Sequence, residues 1–366
     1  MKPFSARGTL LAVMMMSALH GRAIAQITNS PSDEILPTVK LEPQDTELKN
    51  RIGISYRMGL NISVDFKKFG GLALSDPGPA SGSTVNRNYD NGYNRVDSST
   101  NAGGLTWNWG YSSSQSVQGD DLVLQSYSTP ANASSNDRQS DPQHGFEMFY
   151  QRELRREKHW RLGAEAAFGY SLISVTDRSN LKNTVYRTND SFALNGTIPP
   201  LPPYNGTFKG PGNLIGSTPS RSTDVVASTA TITGERRVDS DVFMIRLGPY
   251  MEFPVNQRVS LFANAGLALV VGRTDFSFTE RVTIDDPAYD VHLVSQARSG
   301  SGSKTDFLVG GYAGGGLAYA LTREVSLFGG AQFQAAGRSI NHEKGKESIL
   351  DLGQSVLVSV GVTYAF

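Results

Sequence analysis

Residues 52–67 place an apolar side chain at every second position without a fault. Ile52, Ile54, Tyr56, Met58, Leu60, Ile62, Val64 and Phe66 form one row, and Gly53, Ser55, Arg57, Gly59, Asn61, Ser63, Asp65 and Lys67 form the other. Side chains alternate across a strand, whereas a helix repeats every 3.6 residues and cannot present this pattern. The segment therefore predicts a β-strand with one apolar and one polar face.

Seven further segments carry the same period: 144–154, 160–173, 241–253, 259–271, 307–321, 325–336 and 354–366. The last shows the row Val356, Val358, Val360, Val362, Tyr364 and Phe366. Alternation alone does not tell a soluble barrel, apolar inside, from a membrane barrel, apolar outside. Three observations choose the second. The polar face mixes Gly, Ala and Ser with long charged residues, Arg57, Asp65, Glu147, Arg161, Glu165, Arg246 and Glu252, which suit a narrow polar lumen whose signs nearly balance. Aromatics mark both strand ends: Tyr150, Trp160, Phe253, Tyr319, Tyr364 and Phe366 at one, Phe66, Phe146, Tyr170, Phe243, Phe307 and Phe333 at the other. Connections alternate strictly, with tight turns at 155–159, 254–258 and 322–324, and polar loops at 68–143, 174–240, 272–306 and 337–353. Short periplasmic turns and long surface loops follow that rule. The prediction is a transmembrane antiparallel up-and-down β-barrel over 51–366, of eight strands. Ten is the competing count if the two longest loops hide hairpins, and residues 229–237 already look strand-like.

The N-terminus reads as an export signal over 1–25. Lys2 and Arg7 precede a short apolar core at 9–19, and Ala23-Ile24-Ala25 supplies a cleavage site before Gln26. Residues 26–50 are polar, Pro-bearing and non-periodic, a flexible periplasmic lead-in. The expected location is the outer membrane. The chain has no Cys, which excludes disulfides and thiolate metal sites. Its 34 basic and 34 acidic residues leave no basic excess for nucleic acid.

The final strand, VLVSVGVTYAF, with Val360, Val362, Tyr364 and terminal Phe366 on one face, resembles the C-terminal assembly signature of Gram-negative outer-membrane barrels. With eight strands, the chain resembles the small barrels of the OmpA-membrane-domain and OmpX kind, with enlarged loops. The resemblance implies outer-membrane lipid and, during insertion, the barrel-assembly machinery as partners. It implies no activity and no cofactor.

Residue chemistry adds little catalytic promise. No HExxH, Walker-type or GxSxG motif occurs. His144, beside Asp141 at a strand end, is the one position to weigh for a surface hydrolase, and it lacks a spaced partner motif. Asp90-Asn91-Gly92 and Asp285-Asp286 offer too few oxygens for a Ca²⁺ loop. Trp107, Trp109 and Tyr111, with Tyr127, make the first loop aromatic, either as a recognition surface for an extracellular ligand or as loop packing. The expected role is structural or surface-interacting through the loops, without catalysis. A narrow porin-like channel for small solutes is the alternative.

Overall fold

Eight strands pair antiparallel in chain order, and the last pairs with the first, which closes the ring. In the computed structural model these are β1 (Asn50–Leu60), β2 (Gln143–Arg156), β3 (Arg161–Asp177), β4 (Arg236–Pro254), β5 (Val259–Asp286), β6 (Arg298–Ala320), β7 (Val325–Ala335) and β8 (Ser355–Ala365). The structure describes residues 48–139 and 142–366; the expected signal, most of the lead-in and Asp141 lie outside them. Closure runs from Arg51 opposite Ala365 to Leu60 opposite Val356. A closed ring leaves no backbone edge to lipid, where an unpaired amide costs several kcal/mol.

The outward rows are apolar and exposed: Ile52 and Ile54 on β1, Phe243, Ile245 and Leu247 on β4, and Val358, Val360 and Val362 on β8. The inward rows hold Ser55, Arg57, Glu147, Gln151, Glu165 and Arg246, all buried. An apolar exterior around a polar interior is the inverse of a soluble barrel. Three tight turns join strands at one end, closed by Glu157 N–H to Trp160 O (2.9 Å), Val255 N–H to Val259 O (2.9 Å) and Leu321 N–H to Val325 O (2.9 Å). Both ends of the barrel segment lie on this side.

The expected first strand is two strands. Asn61 turns the backbone with a φ of 58°, and Ser63–Phe69 leaves the barrel for a second sheet. That sheet orders Ala133–Gln139, Ser63–Phe69, Lys346–Asp351 and Arg338–Glu343. The apolar alternation runs on through the break, but its meaning reverses: Ile52, Ile54 and Tyr56 face lipid, while Ile62, Val64 and Phe66 are buried.

On the long-loop side, β3 to β6 continue beyond the expected strand ends. β5 and β6 pair without interruption from Val259 opposite Tyr319 to Glu280 opposite Arg298. Their upper halves face the second sheet across an apolar core built from Val64, Phe66, Phe69, Ile173, Val175, Val238, Phe276, Phe278 and Leu350. The loops are thus a folded tower. A further sheet orders Ser220–Val225, Tyr186–Ala193, Asp121–Thr129 and Leu72–Ala73. It supports a second core of Tyr89, Trp109, Tyr111, Leu122, Leu124, Phe192, Leu194 and Ile215. Residues 230–233 do form a strand, but it pairs with the upper end of β5 and leaves the ring at eight.

Candidate functional site

The lumen is the first candidate, and strand parity positions it. Arg57 (β1), Glu147 (β2), Glu165 (β3) and Arg246 (β4) point inward from four successive strands. Arg57 Nη1 donates to Glu147 Oε2. Arg246 grips the same carboxylate through both faces of its fork, Nε to Oε2 at 3.0 Å and Nη2 to Oε1 at 2.6 Å. Its Nη1 lies 3.4 Å from Glu165 Oε1, and Glu165 also accepts from Gln151 Nε2 (2.7 Å) and Asn264 Nδ2 (3.0 Å). The Arg246 guanidinium stacks 4.4 Å from the Tyr312 ring centroid. Two cations and two carboxylates cancel, and bidentate charge-assisted bonds fix their geometry.

Below this layer the lumen is aromatic. Phe149 and Phe328 pack edge to face at 5.4 Å, and Phe262 meets Phe328 at 6.2 Å. The opposing Gly53 makes room: a Cβ there would stand 2.3 Å from the Phe149 ring. At the short-turn mouth, Glu252 binds Arg51 (3.0 Å) and accepts from Ser260 Oγ (2.6 Å), with Arg161 at 4.0 Å. Above the charged layer, Met244, Val242, Val270, Leu357 and Ile62 are buried together. Between mouth and charged layer the remaining cavity is about 50 Å³, room for a few waters.

Of the seven expected lumen residues, the structure brings Arg57, Glu147, Glu165 and Arg246 into one network and places Arg161 and Glu252 at the mouth. Asp65 is a correction. It lies past the break at Asn61, outside the barrel, where it accepts from Asp137 N–H (2.8 Å) and stands 3.5 Å from Lys67. Arg51, Gln151, Asn264 and Tyr312 escaped the sequence reading. Parity could have found Arg51, two residues before Gly53 on the inward row. The inward aromatics were hidden because an apolar side chain on the polar row carries no mark of its face.

The tower is the second candidate. Its base is clamped by ion pairs on buried carboxylates: Arg236 with Asp177 at 3.0 Å, and Glu280 between Lys346 (2.7 Å) and Arg298 (2.9 Å). Glu280 also accepts from Gly70 N–H (3.1 Å), so one carboxylate ties together three of the four long connections. Burial alone would raise the Asp177 carboxyl, but hydrogen bonds from Ser135 and Ser179 and the Arg236 charge outweigh it and hold it below the ordinary carboxylate range. Tyr127 donates to Asp286 (2.9 Å), and burial with that carboxylate pushes its phenol well up.

The aromatic triplet divides. Trp109 and Tyr111 are buried, so as recognition residues they are corrected to core: Trp109 stacks on Tyr111 (5.9 Å), meets Tyr204 at 4.5 Å and donates Nε1–H to Asn213 O (2.8 Å). Their burial follows from an enclosing loop, residues 204–215, contributed by the second long connection. Trp107 is half-buried and donates to Phe208 O (3.2 Å). The residues of the expected assembly signature, Val360, Val362, Tyr364 and Phe366, all face outward, with Tyr364 stacked on Phe366 at 6.4 Å. His144 faces outward too, bonded to Tyr56 on the barrel wall.

No protein-family model matches the chain, and no curated protein matches its sequence. Among solved structures, it overlaps Ail, the attachment invasion locus protein of Yersinia pestis, described with the heparin analogue sucrose octasulfate. The two are 11% identical over 87% of this chain and 98% of that one, with a TM-score of 0.27. It also overlaps the outer membrane protease OmpT from Escherichia coli, 10% identical over 87% and 97%, with a TM-score of 0.33. These overlaps are too loose to transfer any residue's role. The chain's own geometry, a closed eight-stranded ring with an apolar belt outside and charge inside, is that of an outer-membrane β-barrel.

Proposed function

We propose that this protein is a surface-interaction protein, in which a sealed barrel anchors a rigid extracellular tower that makes contact outside the cell. The observation that carries the reading is the second hydrophobic core around Trp109, far along the loops from the barrel. A barrel that only spans or reinforces the membrane needs no such core. Loops that must hold a fixed surface in water do, because a packed scaffold lowers the ordering cost of binding. The filled lumen supports the same division of labour, with ion pairs, aromatics and an apolar seal stacked along its length.

The reading assigns no catalytic step and no cofactor. The test has two arms. A non-adherent bacterium displaying the full chain should bind an epithelial monolayer better than one displaying the barrel with 74–128 and 178–228 replaced by short turns. The purified protein should give no single-channel steps in planar bilayers. Equal adhesion by the two strains would remove the tower's role, and discrete steps would restore the channel reading.

A further inference from the structure

The outermost tier carries an apolar ridge that its own packing does not use. Residues 197–204 read Thr-Ile-Pro-Pro-Leu-Pro-Pro-Tyr. Leu201 is 90% and Ile198 87% exposed, the highest values among the large apolar side chains of the described residues, lipid belt included. Each of Ile198, Pro199, Leu201 and Pro202 precedes a proline and is thereby biased to extended backbone. With about three residues per turn, Ile198 and Leu201 then share one edge, about 9 Å apart. The ridge is held from behind: Tyr111 Oη–H donates to Pro200 O, and Thr197 Oγ1–H to Leu214 O (2.6 Å). Phe208, 56% exposed, emerges beside Lys209, its carbonyl held by Trp107 Nε1–H and by Ser98 N–H (2.8 Å). From residue 191 to 223 there is no Asp or Glu; the only charges are Lys209 and Arg221, and Arg221 is paired to Asp190 at 2.6 Å.

Exposed aliphatic groups on a preordered support call for an apolar partner, and Lys209 beside Phe208 suits phosphate groups at the rim of one. We propose that Ile198, Leu201 and Phe208 insert into the outer leaflet of a facing phospholipid bilayer, with Lys209 at the level of its phosphate groups. The side chains reach the acyl boundary while the ammonium stays in the headgroup layer. This names the partner of the surface-interaction reading and rests on it. A protein groove would need only the ridge. The bilayer also accounts for the separate Phe208–Lys209 pair.

The test uses the full chain in zwitterionic POPC nanodiscs, mixed with vesicles of POPC alone or of POPC with 30% POPG. The readouts are flotation and tryptophan emission. Trp107 touches the Phe208 carbonyl, whereas Trp109 is buried and Trp160 belongs to the barrel, so a blue shift on mixing reports the ridge. Wild type should float with the anionic vesicles at least tenfold more than Ile198→Ser/Leu201→Ser/Phe208→Ser. Lys209→Glu should weaken binding to the anionic vesicles alone. All four positions are exposed, and unchanged β-sheet circular dichroism checks that the variants fold. Equal flotation of wild type and triple variant overturns the proposal. So does adhesion to cells that is lost on protease treatment of those cells without any vesicle binding, which would point to a protein groove. If the triple-variant strain adheres as well as wild type, the bilayer contact fails while the surface-interaction reading stands; a wild-type strain that does not adhere removes that reading itself.

Discussion

Leu247→Arg tests the lipid-facing wall at its most sensitive depth. On β4 the outward row begins and ends in aromatics, Phe243 and Phe253, ten residues apart by number. At a rise of ~3.3 Å per residue and a tilt of ~40°, that span covers ~25 Å along the membrane normal, the height of an outer-membrane barrel's apolar band. Leu247 lies four residues from one girdle and six from the other, ~10 Å and ~15 Å by the same arithmetic. It is 53% exposed and is flanked across the ladders by Ala166 and Leu267. A guanidinium there has no carboxylate on the outward rows beside it and must remain in hydrocarbon or snorkel. The expected cost is ~2–4 kcal/mol, against ~0–1 kcal/mol for Phe253→Arg at the interface. Unfolding by denaturant in lipid vesicles, with refolding shown to be reversible, measures both. If Leu247→Arg is as stable as wild type, or costs no more than Phe253→Arg, the outward row does not meet the bilayer core and the apolar-outside assignment fails.

Arg246→Ala should destabilise the barrel by about 3–5 kcal/mol in the same assay, because it leaves Glu147 and Glu165 sharing one remaining guanidinium in a buried layer. Trp109→Ala should cost about 3–5 kcal/mol, confined to the tower: proteolysis within 105–111 and 204–215 should quicken while barrel unfolding stays unchanged. Acid should loosen the tower base. Because Asp177 is held below the ordinary value of 3.8, its carboxylate stabilises the fold above that pH, and the contribution is lost as pH falls through the depressed value. Hydrogen exchange at 133–139 and 177–183 should therefore rise below about pH 3.8 in wild type, and Asp177→Asn should be fast already at neutral pH.

Period and face within the membrane were legible in the sequence because lipid imposes one rule on every outward position. Arg57, Glu147, Glu165 and Arg246 could be named from that rule alone, since a charge on an alternating strand has one place to go. The rule lapses where the strands leave the bilayer. Past Asn61 the same alternation continues, so Ile62, Val64 and Phe66 read as lipid-facing and Asp65 as luminal, although a single left-handed residue had exchanged the lipid for a protein core. The tower was illegible for a related reason. Its core joins Trp109 to Ile215 across more than a hundred residues, and neither side of that contact shows a local period. Trp107 and Trp109, two positions apart, have the same composition around them, and only the loop that closes over one separates their roles.

The unbroken ladder of β5 and β6 has a mechanical consequence. On the proposed function, a contact made at the tower is loaded whenever the cell is dragged by flow. The two strands run through the membrane and on into the tower as one ribbon of 22 facing residue pairs, from Val259–Tyr319 to Glu280–Arg298. A pull along that ribbon is carried by two continuous backbones that both run into the barrel wall, so its cross-strand hydrogen bonds are not set against each other. Were the tower tethered by an irregular linker, the same pull would open contacts one at a time. Force applied outside is therefore delivered to the barrel wall, and the weakest element under tension should be the tower's own tip, where the strands are only two or three residues long.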